Sequence, residues 1–254
     1  MSAAVKGLVT VGGPLAPGNT FTVEGGDLGA LLEWRPRAGE AFTVVDGGGR
    51  LLRARLTSLG DGGASLTVFE ETGFSLRPSP AVTLLQALPM RERMELVMEK
   101  AVELGVARIV PFESVRSITL AERDGRQRKS HRWWDLVLRA ARQSRRPDLP
   151  SLERCTDFEG ALALAAPSSL KLLLTQGCGP EPINRVVDGA AGRLAAADAT
   201  VAVLVGPEGG LDPGEIDAAR AAGFLEVSLG RNVLRTETAA IAALSVLACR
   251  FDDL

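Results

Sequence analysis

Three apolar runs constrain this chain more than any other feature: VTLLQAL at 82–88, LKLLLT at 170–175 and TVAVLV at 200–205. A strand with one wet face alternates apolar and polar residues. These runs do not alternate, so both their faces are buried, which requires a parallel sheet covered by helices on each side. The segments between them fit that architecture. Met94, Val97, Met98, Ala101 and Leu104 recur at helical spacing, with Gly105 placed to end the helix. A short strand around Ile109 to Phe112 and a basic helix around Arg132 to Arg145 follow.

The C-terminal part carries explicit helix signals. In LDPGEIDAARAAGF, Asp212 is a cap, Pro213 fits the first helical position, Glu215 completes a capping box and Gly223 stops the helix. A strand, LEVSL at 225–229, and an Ala-rich helix from about Glu237 to Arg250 complete the pattern. That last helix is apolar almost all round. The expectation is burial against the sheet on one side and a second copy of the chain on the other, hence a homodimer.

Residues 1–77 have a different texture. AFTVVD at 41–46, RLLRARLT at 50–57 and ASLTVF at 64–69 are short and roughly alternating, separated by Gly-rich turns, which predicts a small β-sheet or barrel domain. LRPSPAV at 76–82 reads as the linker, giving domains 1–77 and 78–254.

Composition removes several classes of function. The chain is 46% hydrophobic and 24% charged, as in an ordinary folded protein. The cysteines are Cys155, Cys178 and Cys249, with no Cys-x-x-Cys pair, so neither a disulfide scaffold nor a structural zinc site is expected. His131 is the single histidine, read as a surface residue at a helix start, and no Gly-x-Ser-x-Gly elbow accompanies it, so serine-hydrolase chemistry falls away. No metal is called for. The N-terminus lacks a signal-peptide pattern and no apolar stretch reaches about 20 residues, which places the protein in the cytoplasm with no membrane contact. Net charge is −2, yet the stretch from Arg116 to Arg146 holds 10 Lys/Arg against 3 Asp/Glu. Trp133 and Trp134 lie within it, at least one of them expected in the core. Its Arg116, and Arg139, Arg142, Arg145 and Arg146 at helical spacing, are candidate RNA contacts.

Two glycine turns carry the candidate chemistry. GPEGG at 206–210 leaves an apolar strand and enters a capped helix, a place where open α/β sheets bind ligands. LGRNVLRTET at 229–238 repeats the arrangement before the last helix. Thr236 and Thr238 are candidate caps. Arg235 is the strongest catalytic candidate, because a guanidinium at a pocket edge suits an anion or a base that acquires negative charge. Glu208 and Glu237 are candidates for orienting Arg235 or for passing a proton. Lys100 and Glu103 read as an exposed pair.

LVGPEGGLDPGEIDAARAAGFLEVSLGRNVLRTETAAIAAL closely resembles the C-terminal signature of the ribosomal RNA small-subunit methyltransferase E family of the SPOUT superfamily. MEKAVELGVARIVPFESVRS at 98–117 and RWWDLVLRAARQSRRPDLPSL at 132–152 resemble that family's middle blocks. LLEWRPRAGEAFTVVDGGGRLLRARL at 31–56 is a looser match to its RNA-binding barrel of the PUA type, without the usual preceding His and with Glu33 in a stretch that is usually more basic. Cys178 follows a strand resembling the first strand of the knot.

The resemblance implies an α/β, SPOUT-type parallel sheet with a deep trefoil knot, plus a PUA-like β-barrel at the N-terminus. It implies S-adenosylmethionine as cofactor, held by Leu204, Gly206, Pro207, Glu208, Gly209, Gly210, Leu229, Gly230, Val233, Leu234 and Thr236. The implied reaction is methylation at N3 of a uridine in 16S ribosomal RNA of the small subunit, with Arg235, Glu208 and Glu237 catalytic. Arg35 and Arg37 join the RNA contacts. The alternatives are a non-catalytic RNA-binding protein that keeps the knotted domain, and a SPOUT methyltransferase acting on another RNA.

Overall fold

Alternation in the first part of the chain produces a sheet with one buried face. In the computed structural model, which describes residues 5–76, 79–90, 93–127, 132–176 and 179–251, this part forms β1 (Thr20–Val23), α1 (Gly25–Glu33), β2 (Ala41–Val45), β3 (Arg50–Leu59) and β4 (Ala64–Ser75). The strands pair antiparallel in the order β1-β4-β3-β2. Among the described residues β1 and β2 end this order and do not pair with each other, residues 9–11 bonding instead to Val45 of β2, so the sheet is open where closure into a barrel was expected. Val44, Leu52, Ala54, Leu56, Leu66 and Val68 fill its core.

Helix α1 departs from the all-β reading. Leu28, Leu31 and Leu32 sit at helical spacing within a Gly-rich stretch that masks the period, and Leu31 is fully buried. The hairpin at Asp46 is as its sequence predicts: the carboxylate accepts from the amides of Gly48 and Arg50 at 2.9 and 3.0 Å and pairs with the Arg50 guanidinium at 2.7 Å. Burial pushes the Asp46 carboxyl up. The Arg50 amide and guanidinium and the amides of Leu15 and Gly48 outweigh that and hold it below the usual carboxylate range. Residues 141–149 belong to this same unit, and the Thr43 hydroxyl donates to the Arg145 carbonyl at 2.7 Å.

The second unit, 79–140 with 150–254, alternates strands and helices. In order these are β5 (Ala81–Ala87), α2 (Arg93–Glu103), β6 (Arg108–Phe112), α3 (Leu120–Gln127), α4 (Trp133–Gln143), β7 (Ser151–Leu152), α5 (Phe158–Ala165), β8 (Leu170–Leu174), β9 (Glu181–Pro182), α6 (Ile183–Gly189), α7 (Ala191–Leu194), β10 (Thr200–Val205), α8 (Pro213–Ala221), β11 (Leu225–Ser228) and α9 (Thr236–Arg250). The last residues of α4 fall in the first unit.

The strands form a seven-stranded sheet, β7-β6-β5-β10-β8-β11-β9, with every pairing parallel. Its three central apolar runs are β5, β10 and β8, in register at Leu84, Val203 and Leu172. One face packs Leu85, Val110, Phe112, Leu173 and Leu204 against Phe158 and Ala161 of α5 and Ala219 of α8. Elsewhere α2 packs on α9, which also touches α6 and β10. Because all strands run the same way, the loops after β5, β6, β10 and β11 gather at one edge, and that edge carries the site.

Candidate active site

The first glycine turn is built by its flanks. Val205 ends a strand buried on both faces, and the Gly210 amide closes the turn on the Pro207 carbonyl at 3.0 Å. Gly210 adopts φ +70, with nothing within 4 Å of where a Cβ would stand. Asp212 and Glu215 then start α8 with the predicted capping box. The box does more than cap: Glu215, 8% exposed, accepts from the Asp212 amide and also from the Val115 amide, each at 2.9 Å. One carboxylate thus ties the loop after β6 to the start of α8. It sets Arg116 over the first glycine turn, reaching the Gly209 carbonyl at 3.4 Å and Asp212 at 3.3 Å.

The second turn follows β11. Gly230 has φ +128 and open space beside it, so the backbone there is accessible to a ligand at close range. Among the described residues no acceptor within the chain engages the amides of Arg231, Asn232, Val233 or Leu234. Leu229 and Leu234 are half-buried and Val233 is 77% exposed. Leu204, by contrast, is fully buried in the core beside residues of α5 and α8.

Thr236 joins the two turns. It is the first residue of α9, yet its side chain makes no cap; the hydroxyl donates to the Gly206 carbonyl at 2.6 Å and accepts from Gln86 Nε2 at 3.1 Å. Gln86 is fully buried at the end of β5, and its Oε1 has no donor among the described residues. Thr238 is exposed.

Of the catalytic candidates, Arg235 stands exposed at the N-cap of α9 in extended conformation. Glu208 and Glu237 come together, but around a residue that the sequence reading missed. Arg93, the first residue of α2, pairs with Glu208 at 2.8 Å and lies 3.7 Å from Glu237. Glu208 also accepts from the Met90 amide at 2.9 Å. The two carboxylates therefore orient on Arg93, not on Arg235. A signal for it exists in the sequence: an arginine at a helix N-terminus opposes the helix dipole, and something must compensate.

The basic stretch divides. Arg139 is exposed on α4. Arg142 donates to the backbone carbonyls of Trp34 and Arg35. Helix α4 ends at Gln143, so Arg145 and Arg146 do not continue the helical face as the spacing implied; Arg145 has φ +57 and pairs with Glu70 at 3.4 Å, and Arg146 is held by Asp148 at 2.9 Å. Chain reversal after Gln143 leaves carbonyls and a carboxylate to satisfy, and Arg142 and Arg146 donate to them. Arg35 and Arg37 are exposed. Trp133 is a core residue, stacked by the buried Arg123 at 5.2 Å, whose guanidinium pairs with Glu95 at 2.6 Å. Lys100 is held by Glu99 and Glu103 at 2.9 and 2.8 Å. His131, Cys178 and the Arg77–Pro78 linker positions lie outside the described residues. Among the described residues no cluster of His, Cys, Asp and Glu forms a metal site, and no helix is long and apolar enough to cross a membrane.

The chain matches known proteins along most of its length. Residues 77–248 match the RNA methyltransferase domain family. A ribosomal RNA small subunit methyltransferase E of Mycobacterium bovis is 38% identical over 229 residues, covering 86% of this chain and 82% of that protein. Its namesake in Synechocystis is 35% identical, covering 83% of this chain. Among solved structures, the ribosomal RNA small subunit methyltransferase E of Neisseria gonorrhoeae bound to S-adenosyl methionine superposes with a TM-score of 0.63 at 30% identity, covering 96% of this chain and 97% of that one. By its sequence and its fold, the chain belongs to the ribosomal RNA small subunit methyltransferase E family.

Proposed function

We propose that the protein is an S-adenosylmethionine-dependent methyltransferase that modifies N3 of one uridine in 16S ribosomal RNA of the small subunit. The observation that carries this reading is the pair of glycine turns at 206–210 and 229–234, held together by the Thr236 hydroxyl, in a chain of this family. The residues fit the cofactor. Gly210 and Gly230 leave room for close backbone approach, and the amides at 231–234 are available as donors to an adenine and its ribose. When bound, the cofactor supplies a sulfonium-activated methyl group and leaves as an uncharged thioether.

The chain's own residues then have two tasks. Uracil N3 becomes nucleophilic only as its proton leaves, and Glu208 takes that proton on a carboxylate oxygen, held in place by Arg93 and the Met90 amide. Arg235, placed by the start of α9, stabilises the negative charge that then spreads onto the base carbonyls. Gly206, Pro207, Gly209, Leu229, Val233 and Leu234 shape the cofactor site. Arg139, Arg145, Arg35 and Arg37 stand exposed and meet RNA phosphates.

Three further features belong to this reading. The C-terminal segments thread as a deep trefoil knot, supported by β8 lying between β10 and β11 in the sheet. The N-terminal unit is an RNA-binding module of the PUA type, supported by its antiparallel sheet and the Asp46 hairpin. The protein is a cytoplasmic homodimer joined through α9, where Ile241, Ala242, Ser245 and Val246 remain half-exposed beside the buried Ala240, Ala243 and Leu247. Light scattering at micromolar concentration tests the dimer.

The test of the mechanism is methyl transfer by wild type and Arg235→Ala at saturating cofactor. The reading expects the variant to retain cofactor binding by calorimetry and to lose at least about a hundredfold in rate. Wild-type turnover by Arg235→Ala would contradict it.

A further inference from the structure

Beside the first glycine turn lies a hollow of about 270 Å³. Among the described residues its walls are Met90, Arg116, Ser117, Ile118, Glu208 and Gly209, and the turn at 229–234 contributes nothing to it. Of the two glycine turns, the lining draws on the first alone.

The chemistry of the walls narrows the occupant. A free anion is opposed by the Glu208 carboxylate, and a simple cation is opposed by Arg116 and Arg93. What suits the lining is a neutral group presenting a hydrogen-bond donor beside an acceptor: the donor meets Glu208, and the acceptor meets the Arg116 guanidinium. Arg116 keeps donor capacity for this, since its contacts to Gly209 and Asp212 are long, at 3.4 and 3.3 Å, and its side chain is 46% exposed. Met90 and Ile118 add apolar contact of the kind that covers the face of a flat ring. Volume narrows it further, for the hollow is just below the ~300–1,000 Å³ of ligand clefts, room for one nucleobase and not for a dinucleotide.

The imide edge of uracil, N3–H between two carbonyls, is such a group. We propose that this hollow is the seat of the acceptor base: a uracil turned out of its RNA stack, with N3–H toward Glu208 and a ring carbonyl toward Arg116. The inference rests on the methyltransferase reading above and assigns it a substrate site. It also gives Arg116 a new role, base recognition instead of contact with phosphates. The anchoring of Val115 by Glu215 fixes the loop that presents Arg116 and Ser117.

Met90→Trp tests this directly, because it fills the hollow while keeping the Met90 amide that Glu208 accepts from. Arg116→Gln is the second variant, which removes the cation without adding bulk. Each is assayed for S-adenosylmethionine binding by calorimetry, for thermal midpoint, and for methyl transfer to small ribosomal subunits lacking native uridine methylation. The proposal expects unchanged cofactor affinity and midpoint, with kcat/KM for subunits about a hundredfold lower in Met90→Trp and a raised KM in Arg116→Gln. Wild-type transfer by both variants overturns it. Loss of cofactor binding in Met90→Trp also overturns it, since the hollow would then belong to the donor. An inactive wild-type protein removes the methyltransferase reading itself and the acceptor site with it.

Discussion

Replacing Thr236 by valine isolates the bond that joins the two glycine turns. Valine keeps the shape and the β-branching of threonine, so the helix start and its packing persist while the hydroxyl disappears. Two groups are affected. The Gly206 carbonyl loses a donor at 2.6 Å, and Gln86 Nε2 loses an acceptor at 3.1 Å but keeps the Ala87 carbonyl at 2.9 Å. A buried polar group left unsatisfied costs about 1–3 kcal/mol, so one full and one partial loss sum to about 2–4 kcal/mol. For a unit of this size that lowers the thermal midpoint by about 5–15 °C. The same bond sets the spacing of the turns, so cofactor affinity should fall about tenfold, equivalent to ~1.4 kcal/mol. Calorimetric melting and cofactor titration of wild type, Thr236→Val and Thr236→Ser measure both effects, the serine variant recovering most of each. A valine variant that melts within about 1 °C of wild type and binds cofactor normally refutes this account of the site.

Other consequences are smaller in scope. Arg93→Met should lower kcat roughly tenfold with KM for subunits unchanged, and Arg93→Lys should recover part of it; equal loss in both kcat and cofactor binding would assign Arg93 to scaffolding alone. Burial pushes the Cys155 thiol up to about 12, with Glu113 and Asp124 adding to the shift, whereas Cys249 is exposed. In a Cys178→Ser background, a thiol reagent at pH 8 should therefore label Cys249 and spare Cys155, and mass spectrometry reads the outcome. The Asp46 carboxyl is held below its ordinary range, so the stability it contributes is fully present above about pH 4 and is lost as pH falls through its folded value. Asp46→Asn should accordingly melt lower than wild type at pH 7, and the gap should close in acid; a constant gap would sink the linkage.

How much of this was readable in the chain depends on the range of the forces involved. The apolar runs at 82–88, 170–175 and 200–205 announce a sheet buried on both faces, because hydrophobic period is a local property. The caps at Asp212, Glu215 and Gly223 are equally local and appear as read. What sequence does not display is pairing across long separations. Glu215 looks like half of a capping box, and its second oxygen reaches Val115, 100 positions away. Glu208 reads as a candidate for orienting Arg235, and it is taken by Arg93, 115 positions earlier. The helical spacing of Arg139, Arg142, Arg145 and Arg146 breaks because Arg145 turns into the left-handed region, which no period reports. Helix α1 was hidden by glycines that lower helix propensity, and burial of Leu31 overrides them.

The most direct test of the central claim is to incubate the purified protein with radiolabelled S-adenosylmethionine and small ribosomal subunits that lack native uridine methylation, then digest the RNA and identify the labelled nucleoside by mass spectrometry. The account predicts label in 3-methyluridine at a single position of the small-subunit RNA. Label on another atom or another RNA, or no transfer to these subunits by a protein that binds the cofactor, would contradict it.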